Sequence, residues 1–209
     1  MQFDIDFDMA ALKDVKAMVS GIKNGYKKAV VTAINKTVAT TKVQAKARIG
    51  NELNLKASRI EKDLSVQKAN YSKISGAVIA KGEPVGLINF SARQTQKGTS
   101  IKVLRSSPRT LLKHAYIATG RGTSTKEHVF WRKTRMLGKK FPVGKISKAA
   151  WPKLPEKFRM PAERLTGPRI EDIFAKTKVI SPLTIQANFL LLKNTDIAVT
   201  KIIQGYAHG

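Results

Sequence analysis

From Ile22 to Ile49 the apolar positions Ile22, Tyr26, Ala29, Val30, Ala33, Ile34, Val38, Ala45 and Ile49 mostly recur at i, i+3 and i+4. That spacing lines one side of a long amphipathic helix, and Gly50 is a natural stop for it. Asn54 can cap a second helix running through Ala57, Ile60 and Leu64. The period then shortens to two: Ile74, Gly76, Val78 and Ala80 alternate with polar or small residues, Gly82-Glu83-Pro84 offers a turn, and Val85–Phe90 continues apolar. This stretch predicts a hairpin. Further strands are predicted at Ile101–Leu104, Leu111–Ala118 and Val129–Arg132, with Ser106-Ser107-Pro108 turning the chain between the first two, and a short helix at Ile170–Ala175. Ser181-Pro182 predicts the start of a closing helix, with Ser as cap and Pro in the first helical position, where its missing amide hydrogen costs nothing. Its apolar face would carry Leu183, Ala187, Leu190, Leu191, Ile197, Ala198, Ile202 and Tyr206, interrupted by Asn194. The order predicts an α+β fold: N-terminal amphipathic helices, a central small antiparallel sheet, long basic loops and a C-terminal helix.

The chain divides by character into an acidic arm over residues 1–20, a body over 21–180 and the closing helix over 181–209. In the arm, Phe3, Ile5 and Phe7 alternate with Asp4, Asp6 and Asp8, which fits either an extended strand with one apolar face that can add to a sheet edge or, equally, a solvated and partly frayed terminus. Residues 119–168 are punctuated by five glycines and five prolines, and so long an irregular stretch is ordinarily kept for contacts.

Charge adds what the apolar pattern does not. Between Arg93 and Arg169 twenty Lys and Arg stand against only Glu127, Glu156 and Glu163, so this stretch holds +17 of the chain's +25. Self-repulsion on that scale calls for counterions or an acidic partner. Phe130, Trp131, Phe141, Trp151 and Phe158 are interleaved with the cations and suit stacking on bases or packing between subunits. No RNA-binding, helix-turn-helix or zinc-finger pattern accompanies them, which disfavours sequence-specific readout.

Catalytic chemistry finds little footing. The absence of cysteine excludes disulfides, thiolate zinc sites and cysteine nucleophiles. His114 alternates with Leu112 and Tyr116 as a packed or surface imidazole in a strand, His208 is next to last, and His128 has only Glu127 beside it, so no metal site, cofactor site or catalytic group is assigned. Gly120–Lys126 lacks the Gly-Lys-Ser/Thr ending of a phosphate loop. Glu171 and Asp172 are accounted for by the start of a helix. No apolar run is long enough to span a membrane, and the alternating start differs from a signal peptide, which together predict a soluble protein made in the cytosol.

The ordered series Ala33-Ile34-Asn35 in a long helix, Lys56-Ala-Ser-Arg-Ile60, Leu87-Ile-Asn-Phe-Ser-Ala-Arg93, Lys97-Gly98 before a strand, and Arg164-Leu-Thr-Gly-Pro-Arg-Ile170 resembles the minor tail protein Z family of tailed bacteriophages and prophages. The resemblance covers roughly residues 25–180. It implies a structural virion protein without catalytic residues, assembled in the bacterial cytoplasm and placed at the head-proximal end of the tail, where tails are completed and joined to heads. It also implies a six-membered ring of copies, with the tail terminator and the connector or adaptor as neighbours, and Asn89–Arg93, Lys97-Gly98 and Leu165–Ile170 as framework. The candidate contacts are the cations Arg93, Lys97, Arg121, Arg132, Lys133, Arg135, Lys139, Lys140 and Arg169 and the anchors Trp131, Phe141 and Trp151. Packaged DNA is a further candidate partner, contacted without base reading. The competing expectation is a nonspecific nucleic-acid-binding module. A hydrolase would need a metal or an acid pair, with Glu127 and His128 the residues to test.

Overall fold

The computed structural model describes residues 1–5, 9–119, 126–132 and 162–207, which fall into two compact units. Mixed helix and small antiparallel sheets give the α+β class the apolar pattern predicts.

The first unit comprises residues 1–51, 56–83 and 169 onward. Its sheet has the order β1 (Gln2–Ile5), β3 (Gly76–Ala80), β2 (Leu64–Gln67), antiparallel throughout, with Phe3 opposite Val78 and Val66 opposite Val78 on the other side. The described part of the alternating arm, Gln2–Ile5, therefore adds to a sheet edge within its own chain, while residues 6–8 lie outside the described residues. Beyond it the chain forms α1 (Met9–Met18), which buries Val15. The hairpin predicted over residues 74–90 does not form. β3 already has a neighbour on each edge, and Leu87–Asn89 is a turn of 3-10 helix instead.

The predicted long helix is α2 (Gly25–Glu52), in which Ala29, Val30, Ala33, Ile34, Val38, Ala45 and Ile49 are all fully buried. Gly50 does not stop it. The glycine lies inside the helix, two residues before its end, with Ile60 nearby, and it does not act as a C-terminal cap. Gly76 lets β3 approach α2 closely, because a Cβ there would stand 2.7 Å from both Ile34 Cγ2 and Val38 Cγ2. Helix α3 (Ala57–Lys62) begins after Lys56 without a side-chain cap. Asn54, the expected cap, instead donates from Nδ2 to Ser91 Oγ and to the Lys102 carbonyl, each at 3.1 Å.

Two helices close this unit, α4 (Ile170–Phe174) and α5 (Thr177–Ala207). Helix α5 starts four residues before the expected Ser181, which places Pro182 inside it. Val179 is buried, and the amides of Val179 and Ile180 both donate to the Lys176 carbonyl, at 2.8 and 2.9 Å, so an additional turn forms upstream. Pro182 leaves the Lys178 carbonyl without its helical donor, and Lys178 is exposed, where water can substitute. Asn194 is no flaw in the apolar face. Its Nδ2 donates to Thr37 Oγ1 of α2 at 3.0 Å, both groups being buried, and so pairs a polar group that burial alone would penalise.

The second unit comprises residues 52–55 and 84–168. It holds two further three-stranded antiparallel sheets instead of one central meander. The first is β4 (Arg93–Thr95), β5 (Gly98–Ile101) and β6 (Thr110–Lys113). The second is β7 (Tyr116–Thr119), β8 (Glu127–Arg132) and β9 (Ala162–Arg164). The single strand expected over Leu111–Ala118 is broken at His114, whose backbone is left-handed at φ 64, so β6 and β7 enter different sheets. His114 is thus a turn residue and its amide donates to the Lys97 carbonyl at 3.1 Å. Leu104 lies beyond β5 and bridges to Leu53.

Candidate functional site

The most chemically loaded surface of the second unit is built by the β4–β5 hairpin and the β7–β8–β9 sheet. Arg93 and Lys97 occur there because the hairpin holds them outward: Arg93 opens β4, Lys97 is in the turn, and both are exposed. The turn is tied by Thr95 Oγ1, which donates to the Gly98 carbonyl at 2.7 Å. Gln94 Nε2 donates to the Thr95 and Gly98 carbonyls at 3.0 and 3.2 Å, while its Oε1 accepts from the Ile117 amide at 2.9 Å. One glutamine thereby joins the hairpin to β7. Arg109 is committed to structure, donating to Ser100 Oγ, the Ser100 carbonyl and the Ser91 carbonyl.

On the neighbouring sheet the register places Tyr116 and Arg164 on either side of Phe130, and Trp131 opposite Glu163. Tyr116 stacks on Phe130 with centroids 6.0 Å apart, and His128 meets Phe130 edge-on at 6.1 Å. Trp131 is 48% exposed, a large amphipathic ring presented outward. The arrangement offers ring faces and edges beside the strand that carries Arg164, whose guanidinium lies against Gly86, and the rings suit stacking. Tyr116 and Arg164 were not among the candidates read from sequence, where His128 was considered only as a residue to test for a hydrolase. The alternation around Val129–Arg132 was the available signal, but which residues flank Phe130 depends on strand register.

His128 is half-buried and its Nδ1 has no hydrogen-bond partner. Burial, followed by the positive charges of Arg164 and Lys126, lowers its pKa below the ordinary 6.5. The folded state therefore binds this proton less readily than the unfolded chain, and the associated stability, complete above 6.5, declines as pH falls from there through the lowered value. Between about pH 7.5 and about pH 5 the wild type should lose more thermal stability than His128→Gln in parallel melts. Equal losses would show that the imidazole is not the titrating group.

Among the remaining candidates, Arg132 closes β8 with its backbone opposite Ala162. Arg169 belongs to the first unit, where it precedes α4, and its charge contributes to lowering the pKa of Glu171, behind the amino group of Met1. Arg121, Lys133, Arg135, Lys139, Lys140, Phe141 and Trp151 lie outside the described residues, as does most of the Gly120–Lys126 segment. The first unit has a separate cation-rimmed groove of about 440 Å³, with Lys23, Lys28 and Lys201 around Ile22 and Ile202.

Among the described residues no three His, Asp or Glu side chains are grouped to hold a metal ion, and no helix is long and apolar enough to cross a membrane. Residues 85–90 and 165–167 meet in space within the second unit. The Leu87 amide donates to the Leu165 carbonyl at 3.1 Å, the Gly167 amide to the Val85 carbonyl at 2.7 Å, and Gly86 bridges Thr166. Phe90, fully buried, lies under Gly167, where a Cβ would come within 2.7 Å of its ring. The chain matches no protein-family model, and no curated protein or solved structure is significantly similar to it.

Proposed function

We propose that the protein is a structural component of a tailed-phage virion, acting at the head-proximal end of the tail in tail completion and head–tail joining. The observation that supports this reading is the meeting of Leu87–Phe90 with Leu165–Gly167, two separated pieces of the family-like series packed around the buried Phe90. Strand β9 leads directly into that frame and pairs with β8, with Arg132 and Ala162 side by side. Residues 133–161 between them contribute nine of the chain's Lys and Arg and one acid, Glu156. A basic segment anchored at both ends suits attachment to acidic neighbours, with affinity from anchors such as Trp131 and orientation from Arg93 and Lys97. Those neighbours are the tail terminator, the connector or adaptor, and adjacent copies in a ring following the six-fold symmetry of a tail. Packaged DNA can be met nonspecifically by the same cations.

The test is to disrupt the gene in its phage or prophage and count heads, tails and joined particles in the induced lysate by electron microscopy. Filled heads beside separate tails or tails of abnormal length are expected. Normal infectious particles would discard the reading. The exposed Trp131 and the Tyr116–Phe130–Arg164 cluster would then favour a nucleic-acid-binding module, identified by DNA affinity that falls steeply with salt.

A further inference from the structure

Helix α5 has two apolar faces, one buried and the other largely exposed. Leu183, Ala187, Leu191 and Ala198 are buried with Asn194, whereas Ile185, Phe189, Leu192 and Ile203 are 69%, 67%, 59% and 44% exposed. At about 100° per residue, these four fall within an arc of roughly 60° on the side away from the buried set. Other exposed large apolar side chains, including Met18, Val43, Tyr71 and Leu111, belong to separate segments. From Ile185 the steps to Phe189, Leu192, Asp196, Val199 and Ile203 are four, three, four, three and four, the seven-residue repeat of a helix-pairing seam. Val199 is buried at its edge, and Asp196 is the polar position within it.

We propose that this stripe pairs with the same stripe of a second copy, the two α5 helices running antiparallel. Charge selects both the occupant and the direction. Between Leu183 and Gly205 the charged residues are Lys193, Asp196 and Lys201, a net of +1 in a chain of +25. Two such polycations approach at least cost through the face where their charges nearly cancel, whereas an acidic partner would gain more at the cation-rich surfaces. A parallel pair would stack Asp196 on Asp196. An antiparallel pair that sets Ile185 against Ile203 of the second copy brings Leu192 opposite Asp196 and places Lys193 one residue from it, close enough to compensate the carboxylate. The seam rests on α5 alone and does not depend on the virion reading.

Sedimentation velocity on the nuclease-treated full chain provides the test. A dimer is expected, and it should tighten as NaCl rises from about 0.1 M to about 0.5 M, because screening removes like-charge repulsion while an apolar seam persists. Phe189→Asp should weaken association by about 30-fold or more with the circular dichroism spectrum unchanged, since the ring is exposed. Asp196→Lys should weaken it, and the double change Lys193→Asp/Asp196→Lys should restore it. The chain has no cysteine, so Ile185→Cys and Ile203→Cys can be mixed and oxidised, and they should cross-link to each other rather than each to itself. A wild type that is monomeric at about 100 µM, a dimer indifferent to Phe189→Asp, or an association dissolved by salt would each overturn the proposal. Self-linking of Ile185→Cys would overturn the antiparallel register.

Discussion

Gly98→Ala should lower the thermal midpoint by about 10 °C, making it one of the two most damaging single changes expected in this protein. Gly98 has φ +148, a conformation that side-chain-bearing residues rarely adopt, and a Cβ there would lie 2.1 Å from the Leu112 carbonyl oxygen and 2.9 Å from its carbon. The obstruction is backbone on the paired strand β6, in register at Gly98↔Lys113, so no side-chain rotation relieves it. Backbone strain and overpacking each cost about 1–3 kcal/mol, and here both apply. Moving β5 away would break the Lys97–His114 and Gln94 hydrogen bonds that position the hairpin bearing Arg93 and Lys97. A melt followed by circular dichroism decides the matter, and a variant with wild-type midpoint and intact hairpin would show that the strand pair yields without cost.

Phe90→Ala should cost about 3–5 kcal/mol, the range for removing a fully buried aromatic ring. The ring is completely enclosed beneath Gly167, and the Phe90 carbonyl accepts from the Lys102 amide at 3.1 Å. Truncation leaves a void where the 85–90 and 165–167 segments join, and a bond network holding the surrounding backbone limits how far the void can collapse. Chemical denaturation should show the loss, accompanied by faster proteolysis within the second unit. If Phe90→Ala retained both stability and protease resistance, the frame beneath the proposed assembly function would not depend on this contact.

The uncovered stripe on α5 has a different energetic status from these two sites. Substitutions at Phe189 or Leu192 alter what the helix offers a second copy, while its folding contacts lie on the Leu183–Asn194–Ala198 face. Stability and association should therefore separate at α5, whereas at Gly98 and Phe90 loss of stability comes first.

Local pattern alone determined the long helix through Ile34 and Val38, the strand around Val129 and the apolar face of the closing helix, because each is a short-range periodicity that burial must obey. It also determined that the excess charge lies between Arg93 and Arg169, since composition needs no coordinates. Partner choice was a tertiary matter. Gly76–Ala80 pairs with the chain's first strand and with Leu64–Gln67 instead of its downstream neighbour, Asn54 bonds to Ser91 and Lys102 instead of capping, and Asn194 finds Thr37 across 157 residues. The Tyr116–Phe130–Arg164 cluster likewise exists only through strand register. Apolar spacing says which residues seek cover, but what covers them, and what leaves Ile185, Phe189 and Leu192 bare, follows from contacts between residues far apart in the chain.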